Sequence, residues 1–193
     1  MLQLHNSDGE KKYLTPLERE KYINQAARQP RIVSTFCLML VHSGCRISEA
    51  LALTANKIDM ENNRVVIETL KKRRSGQFRE VPVPPRFIED LDKVHGIREL
   101  QAKKDRGKKQ KLWRWSRTTG WRYVKTVMEE AGISRDLLSP KALRHAFAVH
   151  ALSKDVPLNK VSEWLGHSAL EITAIYTKVS GKEEDAMAAR MWE

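Results

Sequence analysis

Seven prolines divide this chain into short segments, and most of them stand where a helix can begin. Proline lacks the N–H that a helix interior or a central strand needs, but it suits the first helical turn. Thr15-Pro16-Leu17-Glu18 is such a start. Thr15 caps, Pro16 takes the first position and Glu18 completes a capping box. That helix is predicted to reach about Arg28. Pro30 opens a second, apolar helix ending at Ser43-Gly44, and a third short one covers Ile47 to Leu53 with Leu51 and Leu53 inward. Pro84-Pro85 starts a helix through about Val94, Pro140 one over Lys141 to Lys154, and Pro157 one over Leu158 to Leu165. Ser116 caps another that runs to Glu130. Beyond His167, helices are predicted over Leu170 to Tyr176 and, after Gly181, over Lys182 to Trp192.

Between the third helix and Pro84 the pattern changes. Lys57 to Met60, Arg64 to Leu70 and Phe78 to Val83 are β-branched or alternating, with Glu61-Asn62-Asn63 and Ser75-Gly76 as turns. This reads as a small antiparallel sheet. The expected fold is mainly α with a small antiparallel β-sheet, in one domain over residues 1–193. Residues 1–13 form an N-terminal extension and 182–193 a C-terminal helical tail.

Apolar residues make up 41% of the chain, enough for a buried core. The most apolar window, Ile32 to Val41, is too short for a membrane span, and the N-terminus has no signal-peptide core. A cytoplasmic protein is expected. Cys37 and Cys45 show no metal-binding spacing and read as small core residues. The net charge of +11 points to a polyanionic partner, of which nucleic acid is the usual one. The most basic window, Lys103 to Lys111, reads as an exposed loop or frayed helix end. Trp113, Trp115 and Trp121 follow it and read as core packing or cation–π partners of Arg114 or Arg122.

Three segments stand out together: His42-Ser43-Gly44-Cys45-Arg46-Ile47-Ser48-Glu49, Ser139-Pro140-Lys141-Ala142-Leu143-Arg144-His145, and Trp164-Leu165-Gly166-His167-Ser168 with Tyr176 nine residues after His167. Each alone is weak, since a single arginine or tyrosine usually has a structural role. In this order and spacing they resemble the two arginine boxes and the final histidine–tyrosine box of the tyrosine recombinases, the phage-integrase family. Leu70-Lys71-Lys72-Arg73-Arg74-Ser75-Gly76 resembles the family's lysine-bearing hairpin. The resemblance runs from Leu14 to about Val179.

It implies a site-specific recombinase that cuts and rejoins double-stranded DNA through a 3′-phosphotyrosine bond. Arg46 and Arg144 would be the paired arginines, Lys71 the hairpin lysine, His167 the second-box histidine and Tyr176 the nucleophile. Glu49 would support the first arginine, and His145 has a lesser, structural claim. Lys141 stands where the family usually has histidine, and it shares a helix face with Arg144. The family's N-terminal DNA-clamping domain is not found in the fourteen or so residues before the first helix. An accessory DNA-bending or clamp protein is one possible substitute. The tail is expected to mediate self-association on DNA.

Two arginines suit the chemistry because cleaving a phosphodiester builds negative charge on its non-bridging oxygens. Tyrosine supplies the attacking hydroxyl, and a hairpin lysine can protonate the leaving 5′-oxygen. No paired carboxylates stand at metal-ligand spacing, so neither a metal nor another cofactor is expected. Lys72, Arg73, Arg74, Lys103, Lys104, Arg106, Lys108, Lys109 and Arg117 are expected to bind DNA nonspecifically. Two other readings share the fold: a DNA-binding regulator that does not cut, and a type IB topoisomerase-like nicking enzyme.

Lys71 and Lys72 are adjacent, and counting from either strand leaves both open as the proton donor. A substrate with sulfur replacing the bridging 5′-oxygen separates them, because a thiolate leaves without protonation. The cleavage defect of Lys71→Ala should largely vanish on that substrate. Rescue of Lys72→Ala and not of Lys71→Ala would assign the role to Lys72.

Overall fold

The computed structural model describes residues 11–69, 76–103, 108–167 and 171–174, together with Ala189. Its helices are α1 (Pro16–Ala27), α2 (Arg31–Ser43), α3 (Ile47–Leu51), α4 (Pro85–His95), α5 (Ile97–Ala102), α6 (Arg117–Glu130), α7 (Pro140–Ser153), α8 (Leu158–Leu165) and the short α9 (Glu171–Ala174). Three strands, β1 (Ile58–Asp59), β2 (Arg64–Glu68) and β3 (Phe78–Pro82), lie between α3 and α4. The architecture is mainly α with a small antiparallel sheet, as the sequence implies.

The start signals act as read. Thr15 accepts from the Glu18 N–H while the Glu18 carboxylate accepts from the Thr15 N–H, which closes the capping box. Ser116 and Ser139 cap α6 and α7 in the same way, by accepting from Thr119 and Ala142.

Helix α2 is the hub. It touches α1, α4, α6 and α7, and Phe36, Cys37, Met39 and Leu40 are wholly buried between them. A helix apolar on several faces is stable only when surrounded in this way. Cys37 and Cys45 are buried free thiols, the core residues expected. Trp113 is also core: it meets Phe36 and His95 edge-on, and its Nε1 donates to the Ile32 carbonyl at 3.1 Å. Trp115 packs between Phe36 and Tyr123. The cation over the exposed Trp121 ring is Lys125, one turn on, rather than either arginine considered from the sequence.

The sheet order is β1-β2-β3, antiparallel throughout, with Val65 opposite Val81 and Ile67 opposite Arg79. Alternation places Val65, Ile67, Arg79 and Val81 on the buried face. Thr69 still donates its N–H to the Gln77 carbonyl, so pairing continues one step past the strands toward the hairpin.

Three features differ from the sequence reading. Helix α3 ends at Leu51, two residues early, although Leu51 and Leu53 both point inward as expected. Helix α5 was not anticipated; only Ile97 and Leu100 anchor it, too few to show a period. The basic window ends in an ordered contact, where Lys111 pairs with Thr54 in an antiparallel bridge and Leu112 donates to the Leu53 carbonyl. The hairpin residues 70–75, Lys104 and Arg106, and the tail apart from Ala189 lie outside the described residues.

Gly44 ends α2 in the left-handed region, at φ 62°, and a Cβ there would lie 2.5 Å from the Phe147 ring. Gly132 has a similar φ of 70° but open space around it. Gly132→Ala should therefore cost about 1–2 kcal/mol of backbone strain. Gly44→Ala should cost a further ~1–3 kcal/mol from overpacking. Urea unfolding of the two variants checks the difference; equal losses would show that the Phe147 contact yields freely.

Candidate active site

Arg46 follows directly on the Gly44-Cys45 turn and leads into α3. Its main-chain N–H donates to Glu49 Oε2 at 2.9 Å, and its Nη1 meets Glu49 Oε1 at 2.8 Å. The Arg46 side chain is about one-third exposed, whereas that of Glu49 is fully enclosed. Glu49 is thus bonded to both the main chain and the side chain of Arg46.

Arg144 sits in the second turn of α7 and is buried. Its Nη1 donates to the Gly44 carbonyl at 2.7 Å and its Nη2 to the Leu165 carbonyl at 2.5 Å. Those acceptors lie at the C-terminal ends of α2 and α8. Helix ends of this kind carry unsatisfied carbonyls and partial negative charge, which suit a cation. One guanidinium therefore holds together the three sequence segments that carry Arg46, Arg144 and His167.

His167 follows Gly166, the left-handed cap of α8, and its ring Nδ1 lies 2.8 Å from the Thr173 hydroxyl on α9. Burial lowers its pKa to about 3, reinforced by the positive charges of Arg144, Arg46 and Arg79 and by His145. The ring is therefore neutral and close to the arginines. His145 is buried one step from Arg144; burial, then Lys141, Arg144 and Lys12, bring its pKa down to about 4. Lys141 occupies the exposed first turn of α7 and feels this ring four residues on.

Sequence reasoning missed Arg79. It is buried on β3 and reaches three other segments. Its Nη2 meets Glu49 Oε2 at 2.6 Å, its Nη1 donates to the Thr69 hydroxyl at 3.2 Å, and its Nε donates to the Trp164 carbonyl at 2.7 Å. The signal was available: Arg79 shares the inward parity of Val81, so strict alternation puts a charge inside the sheet. Burial pushes the Glu49 carboxyl pKa up, but Arg79, with Arg46, overcomes this and leaves it below its ordinary value.

The other expected residues divide. Lys103, Lys108, Lys109 and Arg117 are exposed, with Lys103 paired to Glu99 at 2.8 Å. Such an exposed pair contributes little and opens readily. Lys71, Lys72, Arg73, Arg74, Lys104, Arg106 and Tyr176 lie outside the described residues. Among the described residues no helix is long and apolar enough to cross a membrane.

The fold is thus a basic, mainly helical domain with arginines gathered at two helix C-termini. The chain belongs to the phage integrase family, whose model matches residues 12–183. It is 32% identical to the tyrosine recombinase XerC of Roseiflexus castenholzii, over 86% of this chain and 55% of that protein. It is 30% identical to XerA of Pyrococcus furiosus, over 89% of this chain and 58% of that one. The chain thus spans a little over half the length of these relatives. Its fold superposes on a crystal structure of XerA recombinase with a TM-score of 0.76 at 22% identity, covering 93% of this chain and 64% of that one. The catalytic domain of bacteriophage HP1 integrase matches at a TM-score of 0.59 and 20% identity, over 91% of this chain and 93% of that domain.

Two further histidines share the behaviour of His167 and His145. Burial also lowers His42 and His95 to about 4, with Arg19 and His150 adding to the effect at His42. An unfolded chain protonates these rings near pH 6.5, while the folded one does not. The unfolded state then binds more protons, so stability should fall as pH drops from about 6.5 toward 4. Each ring contributes at most about 1.4 kcal/mol per pH unit. Urea unfolding at pH 7 and pH 5 measures this; unchanged stability would mean that the rings take up protons within the fold.

Proposed function

We propose that this chain cuts and rejoins double-stranded DNA as a site-specific recombinase, through a 3′-phosphotyrosine bond to Tyr176. The observation that carries this reading is the Arg144 guanidinium, bonded to the carbonyls that precede Arg46 and His167. Three segments far apart in sequence meet at one cationic point.

The chemistry follows from the residue types. A phosphodiester entering the site accepts from Arg46 and Arg144, which oppose the charge built up on its non-bridging oxygens. A neutral His167 whose Nδ1 accepts from the Thr173 hydroxyl carries its proton on Nε2, from which it donates to the same phosphate. The Tyr176 hydroxyl releases its proton to solvent as its oxygen bonds to phosphorus and the bond to the 5′-oxygen breaks, and Lys71 gives the departing 5′-oxygen a proton. Attack by a 5′-hydroxyl on the phosphotyrosine reverses the step and joins a new strand. Lys141, at the exposed start of α7, adds positive charge toward the phosphate. The tail from Lys182 to Trp192 docks on a neighbouring copy bound to DNA.

The other tyrosines support the choice of nucleophile. Tyr13 and Tyr22 are buried, and the half-buried Tyr123 packs on Trp115. With four tyrosines in the chain, Tyr176 is the one left to consider.

The test is selection of covalent adducts from a randomised library of nicked duplexes in excess EDTA, with the linked peptide identified by mass spectrometry. The adduct should fall on Tyr176. Tyr176→Phe should form none, and Arg46→Ala should slow its formation by about 10²–10³-fold. An adduct on Tyr123, a strict need for a divalent metal, or specific DNA binding without any adduct would each reject the reading, the last in favour of a regulator.

A further inference from the structure

We infer that Arg79 is a positioning residue for strand cleavage: by neutralising the buried Glu49 carboxylate, it keeps the charge of Arg46 available to the DNA phosphate. The inference rests on the proposed cleavage reaction and adds a residue to it. Its basis is the buried triad Arg46–Glu49–Arg79. Glu49 is fully enclosed and gives one oxygen to the Arg46 guanidinium and the other to the Arg46 N–H and to Arg79. Arg79 has only 4% of its side chain exposed, while Arg46 has 35%. One negative and two positive charges leave a single net positive charge, and it lies at the exposed end.

Without Arg79 the balance changes sign of purpose. Glu49 would have one cationic partner, Arg46, in surroundings where attraction between opposite charges is strong. The pair would be neutral overall, and a phosphate would have to compete with an enclosed carboxylate for the same guanidinium. Arg79 cannot replace Arg46 as a phosphate ligand, because its donors go to Glu49, Thr69 and the Trp164 carbonyl. Its guanidinium also lies against Gly166, where a Cβ would come within 3.0 Å of Nη1, so it fixes the backbone next to His167.

The charge argument makes a prediction that simple scaffolding does not. On a duplex selected with the wild-type chain, Arg79→Met should slow adduct formation at saturating DNA by about 10²-fold, the usual effect of losing one transition-state donor. Duplex affinity should stay within about threefold, because most binding comes from surface lysines and arginines. Glu49→Gln added to Arg79→Met removes the uncompensated carboxylate and should restore at least about tenfold of the rate. Arg79→Lys keeps the compensating charge and should stay within about tenfold of wild type, a comparison that holds even if Arg79→Met fails to fold. A double variant no faster than folded Arg79→Met, or a folded Arg79→Lys that loses about 10²-fold, would overturn the inference. No adduct from the wild type would instead overturn the cleavage reading beneath it.

Discussion

The site depends on the Arg144 guanidinium, which reaches two main-chain carbonyls from separate segments. A buried cation needs partners, and a carboxylate is the common one. The partners of Arg144 include the Gly44 and Leu165 carbonyls at the ends of α2 and α8. Helix-end carbonyls bring partial negative charge to the cation. Arg79 bonds to the Trp164 carbonyl in the same last turn of α8. That helix end is thus held by two arginines immediately before His167.

The same arrangement explains the histidine. Three guanidinium groups and partial burial oppose a further positive charge, so His167 stays neutral. A neutral imidazole can donate a hydrogen bond without adding a further positive charge beside the arginines. The positive charge that acts on this ring is therefore carried mainly by arginine, which does not titrate in the physiological range.

Much of the fold was legible because its punctuation is local. Thr15, Ser116 and Ser139 cap the helices they were expected to cap, and the prolines mark the starts. The strands followed from alternation, and the segments carrying Arg46, Arg144 and His167 meet in the fold. Other features were less visible for physical reasons. Helix α5 has two buried anchors, too few for a period. Arg79 looked like one more cation in a basic stretch until strand parity turned it inward. The Gly44 and Leu165 carbonyls that Arg144 reaches are main-chain groups, which no side-chain motif encodes. The role of Lys71 rests on the resemblance alone, since the hairpin lies outside the described residues.

The sequence distances across the site bear on how the protein matures. The Arg144–Gly44 bond joins residues 100 positions apart, and the Arg79–Trp164 bond joins residues 85 apart. Contacts of that span form only after long loops have closed, so they arrive late in folding. During synthesis, a chain that ends before α8 has Arg46 and Arg79 but neither the Trp164 nor the Leu165 carbonyl. In such an intermediate the contacts that join β3 and α7 to the end of α8 are still missing. Chain order alone thus places the assembly of this centre after the emergence of α8.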